Sequence, residues 1–212
     1  MPSIARTERH ALADLLDQLG PDAPTLCTGW DTRALAAHLV VRERRPDATP
    51  GVAVSALSGW TEQVQKGYEK RPYDELVALV RTGPGRLSPF ALPGVDKFLN
   101  TTEYAVHHED VRRAQPGWEP RGLPPKVQDA FWKVVRTRAP VAFRSTDAGV
   151  VLRRSDAPRS SVTAKGGDPA VTITGEPLEL LLYLFGRRDH ARVDVTGDVA
   201  ARAALDATSL DV

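Results

Sequence analysis

This chain of 212 residues has a single cysteine, Cys27. That scarcity excludes an intrachain disulfide, a cysteine-based zinc ribbon and an iron–sulfur site, and it suits a reducing cytosol. Any metal chemistry must therefore rest on histidine and carboxylates. An excess of either charge is missing too: 28 Lys and Arg face 27 Asp and Glu, for a formal net charge of +1. The balance gives no reason to expect nucleic acid or a membrane surface as a partner. No stretch approaches the about 20 apolar residues that a spanning helix requires, and residues 1–10 hold no apolar run of signal-peptide length. The expectation is a soluble, cytoplasmic protein, with nothing to mark its oligomeric state. A Ser-His-Asp elbow, a glycine-rich phosphate loop and a dinucleotide fingerprint are also missing, as are internal repeats and low-complexity tracts.

What is present is a helical pattern that gives way to alternation. Ser3 is placed to cap a helix ending at Gly20 and Pro21, and Asp31 to cap a second that carries Leu35, His38, Leu39 and Val41. Residues 46–93 read as a long connection holding two shorter helices, 53–69 and 73–81, broken by Gly67, Pro72 and Gly83 to Gly85. Helices are predicted over 95–114 and 126–138. Around Pro140 the period changes to two, which makes it the best candidate domain boundary. Short strands follow at 149–154, 161–165 and 170–174, with a tight turn at 166–169, a helix at 176–185, a strand at 192–196 and a terminal helix at 199–205. The fold class is α+β: a helical bundle over residues 1–140, then a small α+β domain over 141–212.

Glu103 and His107 are the residues that point to chemistry. Four apart on a helix, they project a carboxylate and an imidazole from one face, and with His38 from the second helix they could grip one divalent ion. Three protein ligands leave an open position, the mark of a catalytic rather than a structural zinc centre. Pairs at this spacing are also ordinary surface pairs, but Ala105 and Val106 mark an inward environment in which Glu103 needs a partner. His108 diverges from His107 by about 100°, so the two cannot easily share one ion from a continuous helix. Asp110, three residues on, could accept the imidazole N–H that the metal does not use; alternatively, Glu109 and Asp110 pair with Arg112, Arg113 or solvent. Arg42, one turn after His38, could hold a substrate carboxylate through two parallel bonds, whereas Arg33, Arg44 and Arg45 read as a solvated face. Cys27 reads as a small packed side chain and Trp30 as a core anchor.

These stretches resemble a known family. The run from Gly29 and Trp30 to His38 and Leu39, the run from Glu103 through His107 to Asp110, and residues 42–48 are similar to the DinB-like, mycothiol-dependent maleylpyruvate isomerase-like proteins of actinobacteria, including a metal-binding subgroup. Residues 175–187 and 193–198 resemble the family's C-terminal domain, which is related to sterol carrier proteins. The resemblance implies a DinB-like four-helix bundle with a long crossover, and a divalent metal, usually zinc, on His38, Glu103 and His107. It implies mycothiol as thiol cosubstrate and a small-molecule electrophile as partner. The expected function is a metal-dependent S-transferase or isomerase in which a zinc-bound thiolate attacks the electrophile. The alternatives are a metal-dependent hydrolase with Glu109 or Asp110 as its base, and a non-catalytic small-molecule-binding module. His₂-carboxylate ligation does not fix the metal, since zinc, nickel, iron and cobalt all accept it.

Overall fold

The structure, a computed structural model, describes residues 3–45, 47, 58–85, 88 and 100–210. It divides into two compact units, Met1–Glu119 and Pro120–Val212.

The first unit is helical. Helix α1 spans Ile4–Leu19, capped by the Ser3 hydroxyl, which accepts from the Arg6 amide. Helix α2 spans Thr32–Arg44, capped by Asp31, whose carboxylate accepts from the Ala34 amide at 2.8 Å. Helices α3 (Ser58–Glu69), α4 (Tyr73–Thr82) and α5 (Thr101–Arg113) follow. The starts of the helices expected at 53 and 95 lie outside the described residues, as does most of the linking chain in 46–93. Leu12 and Leu16 of α1, Leu35 and Leu39 of α2, Leu76 and Val80 of α4, and Tyr104 and Val111 of α5 form one fully buried cluster. The core is thus that of a four-helix bundle, and burial of these side chains is its main source of stability. Helix α3 is an addition to it, resting Val64 on Val41 of α2.

Polar groups are buried in this bundle as well. Arg9 of α1 donates to Glu43 of α2 at 2.8 Å, and its guanidinium lies 4.6 Å from the centre of the Tyr104 ring. His108 of α5 meets Glu8 of α1 at 2.8 Å. These contacts occupy the faces of α1, α2 and α5 that turn away from the site described below.

The second unit begins with helix α6, Pro125–Ala142, which runs through Pro140. The change of period at Pro140 therefore marks the end of a helix, and the boundary expected at 140/141 falls instead between Glu119 and Pro120. The proline is tolerated because it lies in the last turn, where only two more residues need its helix. Four strands, β1 (Gly149–Arg154), β2 (Ser161–Lys165), β3 (Ala170–Gly175) and β4 (Val193–Gly197), form a sheet of order β2-β1-β3-β4. Helix α7, Pro177–Leu184, is buried on all sides, and α8, Val199–Asp206, closes the unit. Because β1 and β3 run parallel while β2 is antiparallel to β1, the link 166–169 is not a hairpin turn. It crosses the start of β1, where the Gly149 amide donates to the Pro169 carbonyl at 3.0 Å. A side chain at Gly149 would collide with the carbonyl of Gly167, so the crossing needs glycine there.

Candidate metal centre

His38 is carried by α2, and Glu103, His107 and Asp110 by α5. The loop before α2 closes the arrangement. Its Leu26 amide donates to the Asp110 carbonyl at 3.0 Å, and a turn closed by the Trp30 amide on the Cys27 carbonyl at 3.0 Å brings both side chains back against the helices. Gly29 in that turn has φ +78°, a conformation that a side chain disfavours.

The structure brings the three expected ligands together. Glu103 Oε1 lies 3.4 Å from His38 Nε2 and 3.3 Å from His107 Nε2. One ligand atom from each residue falls within 4.8 Å of the others. Four ligands at zinc bond lengths of about 2.0–2.1 Å set tetrahedral edges of about 3.3–3.4 Å, so the two measured separations suit a shared cation as well as they suit hydrogen bonds. The donor set, two imidazoles and one carboxylate, is that of a hydrolytic or Lewis-acid zinc site.

Behind His107, its other nitrogen Nδ1 lies 2.9 Å from Asp110 Oδ2, whose side chain is fully buried. A carboxylate there holds the Nδ1 proton and leaves Nε2, turned toward Glu103, as the nitrogen that a cation can take. Cys27 shares that carboxylate. Its thiol donates to Asp110 Oδ2 at 3.2 Å and lies 3.7 Å from His107 Nδ1. Cys27 is therefore more than the small packed side chain its sequence suggests, and nothing in its local sequence marks the partnership. Trp30 packs against the bundle core and also against His38, with ring centres 4.8 Å apart.

Arg42 sits at the edge of the cluster. Its Nη1 donates to Asn100 Oδ1 at 2.8 Å and its Nε lies 3.3 Å from Glu103 Oε1. Asn100 was not legible as a site residue. The other arginines of α2 and of its C-cap are tied elsewhere: Arg33 donates to the carbonyls of Glu69 and Arg71, Arg44 to that of Gly83, and Arg45, the C-cap, pairs with Asp47. Glu109 faces away from the cluster and is held by Arg112 at 3.0 Å and Arg113 at 2.5 Å.

Electrostatics in the metal-free cluster follow from this wiring. Burial lowers the pKa of His38, and contacts with Glu103 only partly offset it. Burial would raise Glu103, but His107, His38 and Arg42 outweigh it and hold the carboxyl well below its ordinary 4.5. For His107, burial would lower the pKa, yet Asp110, Cys27 and Glu103 hold it well above its ordinary 6.5. At neutral pH the cluster thus keeps an ionised carboxylate beside one neutral imidazole, and a proton occupies the place on His107 that a cation can take.

Residues 124–204 match the family described as the MDMPI C-terminal domain. The match begins one residue before α6, on the same side of Pro140 as the boundary between the compact units. The chain also shares its fold with the crystal structure of the mycothiol-dependent maleylpyruvate isomerase, at 16% identity and a TM-score of 0.63 over 92% of each chain. A mutant of that enzyme gives a TM-score of 0.61 at the same identity and coverage. No curated protein matches the chain in sequence. The MDMPI-like architecture expected from the motifs is thereby present: a helical unit, followed by a unit with a mixed four-stranded sheet.

Proposed function

We propose that the chain is a mycothiol-dependent enzyme, an S-transferase or isomerase, with a divalent metal, zinc in this reading, held by His38, Glu103 and His107. The observation that carries the reading is the convergence of these three donors, at 3.3–3.4 Å from Glu103 Oε1, in a chain with the fold of the mycothiol-dependent maleylpyruvate isomerase. A metal bound there lowers the pKa of a thiol that reaches it and so supplies a thiolate near neutral pH.

The residues of the chain divide the remaining work. Asp110 fixes the tautomer and the ring plane of His107 through the 2.9 Å contact to Nδ1. Arg42 holds a positive charge at the rim, where a carboxylate of the electrophile can meet its guanidinium. In an isomerase the thiolate adds to one carbon of a conjugated cis double bond and the electron pair moves onto the conjugated carbonyl. The new single bond rotates, and elimination restores the double bond and the thiolate. Arg42 anchors the substrate while that rotation occurs.

A hydrolase would need a base beside the metal. The two side chains that could serve are committed, Glu109 to Arg112 and Arg113, and Asp110 to His107 and Cys27. Calorimetric titration of the zinc-loaded protein with mycothiol tests the proposal. Saturable binding at one site is expected, and loss of metal in His38→Ala, Glu103→Ala and His107→Ala should abolish it. Full zinc occupancy with no thiol binding would overturn the reading.

A further inference from the structure

Within the first unit, a groove of about 600 Å³ opens from His38 and runs between the start of α2 and the face of α3. Its lining includes Trp30, Arg33, Thr61, Gln65 and Lys66. The volume lies in the range of small-molecule sites, and one end of the groove is a proposed metal ligand. Its chemistry narrows the occupant.

Several charged groups along the lining already have hydrogen-bond or ion-pair partners. Lys66 pairs with Glu62 at 2.6 Å, Asp31 caps the Ala34 amide at 2.8 Å, and the Arg33 guanidinium donates to the carbonyls of Glu69 and Arg71. Among the described lining residues a phosphate or a carboxylate would meet two cations, Arg33 and Lys66, both already engaged and accompanied by Asp31, Glu62 and Glu69. An acyl chain would meet a wall interrupted by Arg33, Glu62, Gln65 and Lys66, with Trp30 as the one large apolar side chain among the described lining residues. Donors and acceptors in alternation around a single indole face suit a neutral, hydroxyl-rich group: the hydroxyls exchange hydrogen bonds with amide, hydroxyl and carboxylate groups, and the C–H face of the ring lies on the indole.

We propose that this groove binds the polyhydroxylated part of the thiol cosubstrate, a sugar or cyclitol, with the thiol directed to His38. The inference rests on the thiol-enzyme reading and deepens it. It places the two reactants on different sides of the metal ligands, the sugar along α3 and the carboxylate of the electrophile at Arg42, which is not part of the groove lining.

The test compares three probes on the zinc-loaded full chain by calorimetry: mycothiol, which links an acetylated cysteine to glucosaminyl-inositol; N-acetylcysteine, which lacks the sugar; and glucosaminyl-inositol, which lacks the thiol. Gln65→Trp and Thr61→Trp, one turn apart on the half-exposed face of α3, each fill the groove without touching a proposed ligand. Mycothiol is expected to bind wild type at least about tenfold more tightly than N-acetylcysteine. Each filled variant should lose that advantage, with zinc occupancy and N-acetylcysteine affinity kept within about twofold. Retention of the advantage in both variants, or equal binding of the two thiols to wild type, would overturn the groove assignment and leave the thiol reading standing. Equal binding of mycothiol and glucosaminyl-inositol, both blocked by Gln65→Trp, with no binding of N-acetylcysteine, would support the groove and overturn the thiol reading. Binding of none of the three would overturn both.

Discussion

Replacing Asp110 by asparagine should weaken metal binding without unfolding the bundle, and the structure sets the size of the effect. The carboxylate is fully buried, with Oδ2 2.9 Å from His107 Nδ1 and 3.2 Å from Cys27 Sγ. It serves as an acceptor on that side, so His107 carries its proton on Nδ1 and offers Nε2 to the cation. Asparagine has nearly the same shape but only one acceptor oxygen. If its amide nitrogen turns to His107, the imidazole must present a lone pair at Nδ1, and its proton moves to Nε2, where the metal belongs. If its oxygen stays, the proton is held by a neutral acceptor, and the ring is a poorer donor to the metal. Loss of such an outer carboxylate costs about 10–100-fold in metal affinity, equivalent to about 1.4–2.7 kcal/mol.

Competition against a chelator of known zinc affinity measures this directly. The expected result is a zinc Kd raised by about 10–100-fold at neutral pH, with an unchanged far-ultraviolet circular dichroism spectrum. Asp110→Glu should not rescue it, because the longer side chain has no room in a fully buried position. A zinc affinity within about twofold of wild type in a folded Asp110→Asn protein would refute the argument that His107 ligates through Nε2 with its tautomer set by Asp110.

Three further outcomes follow from other parts of the molecule. In the metal-free protein, His107 is held well above 6.5 and His38 is lowered from 6.5. The His107 contribution is complete below pH 6.5 and is lost as pH rises through its folded value, whereas the His38 shift makes stability fall as pH drops below 6.5. Thermal midpoints without metal should therefore peak near pH 6.5. Saturating zinc should remove the decline on the alkaline side, because the cation replaces the His107 proton; an alkaline limb unaffected by zinc would contradict the wiring. Arg9→Ala leaves Glu43 buried and without its 2.8 Å partner, and should cost about 3–5 kcal/mol in urea unfolding; a loss below about 1 kcal/mol would mean that water reaches Glu43. Gly149→Ala drives a methyl group into the Gly167 carbonyl at the crossing of β1, and should cost about 1–3 kcal/mol. Ala148→Gly, next to it, removes only one buried methyl group and serves as the control for the calorimetric comparison.

The helices and strands were readable where one side chain does one local job. Ser3 and Asp31 cap the amides three residues on, a contact fixed by helix geometry alone, and Val171 and Ile173 of β3 alternate inward as their spacing requires. Topology was less accessible. The spacing of the strands in 149–175 does not give their order, which the register sets with β1 between β2 and β3, and the close approach of Gly167 and Ala170 explains why position 149 is glycine. The change of period at Pro140 and the division into compact units differ because periodicity reports the type of element and not the unit with which it packs: α6 is helical, but it lies in the unit that holds the sheet.

The candidate site divides along the same line. Glu103, His107 and Asp110 lie on one helix at spacings of four and three, so their common direction is fixed by the helical repeat. His38 joins them only because α2 and α5 contribute to one core, a tertiary fact that its position on α2 allows but does not require. Cys27 and Trp30 depend on still more. Their loop must turn at Gly29 and dock its Leu26 amide on the Asp110 carbonyl before the thiol can reach Oδ2 and the indole can reach His38. That docking joins both sides of the cluster through one short segment, since Cys27 touches the support of His107 while Trp30 touches His38. A change in the loop conformation would disturb both histidines together, even though the loop supplies neither. The integrity of the centre is for that reason a property of the 20–31 segment as much as of the two helices that carry its ligands.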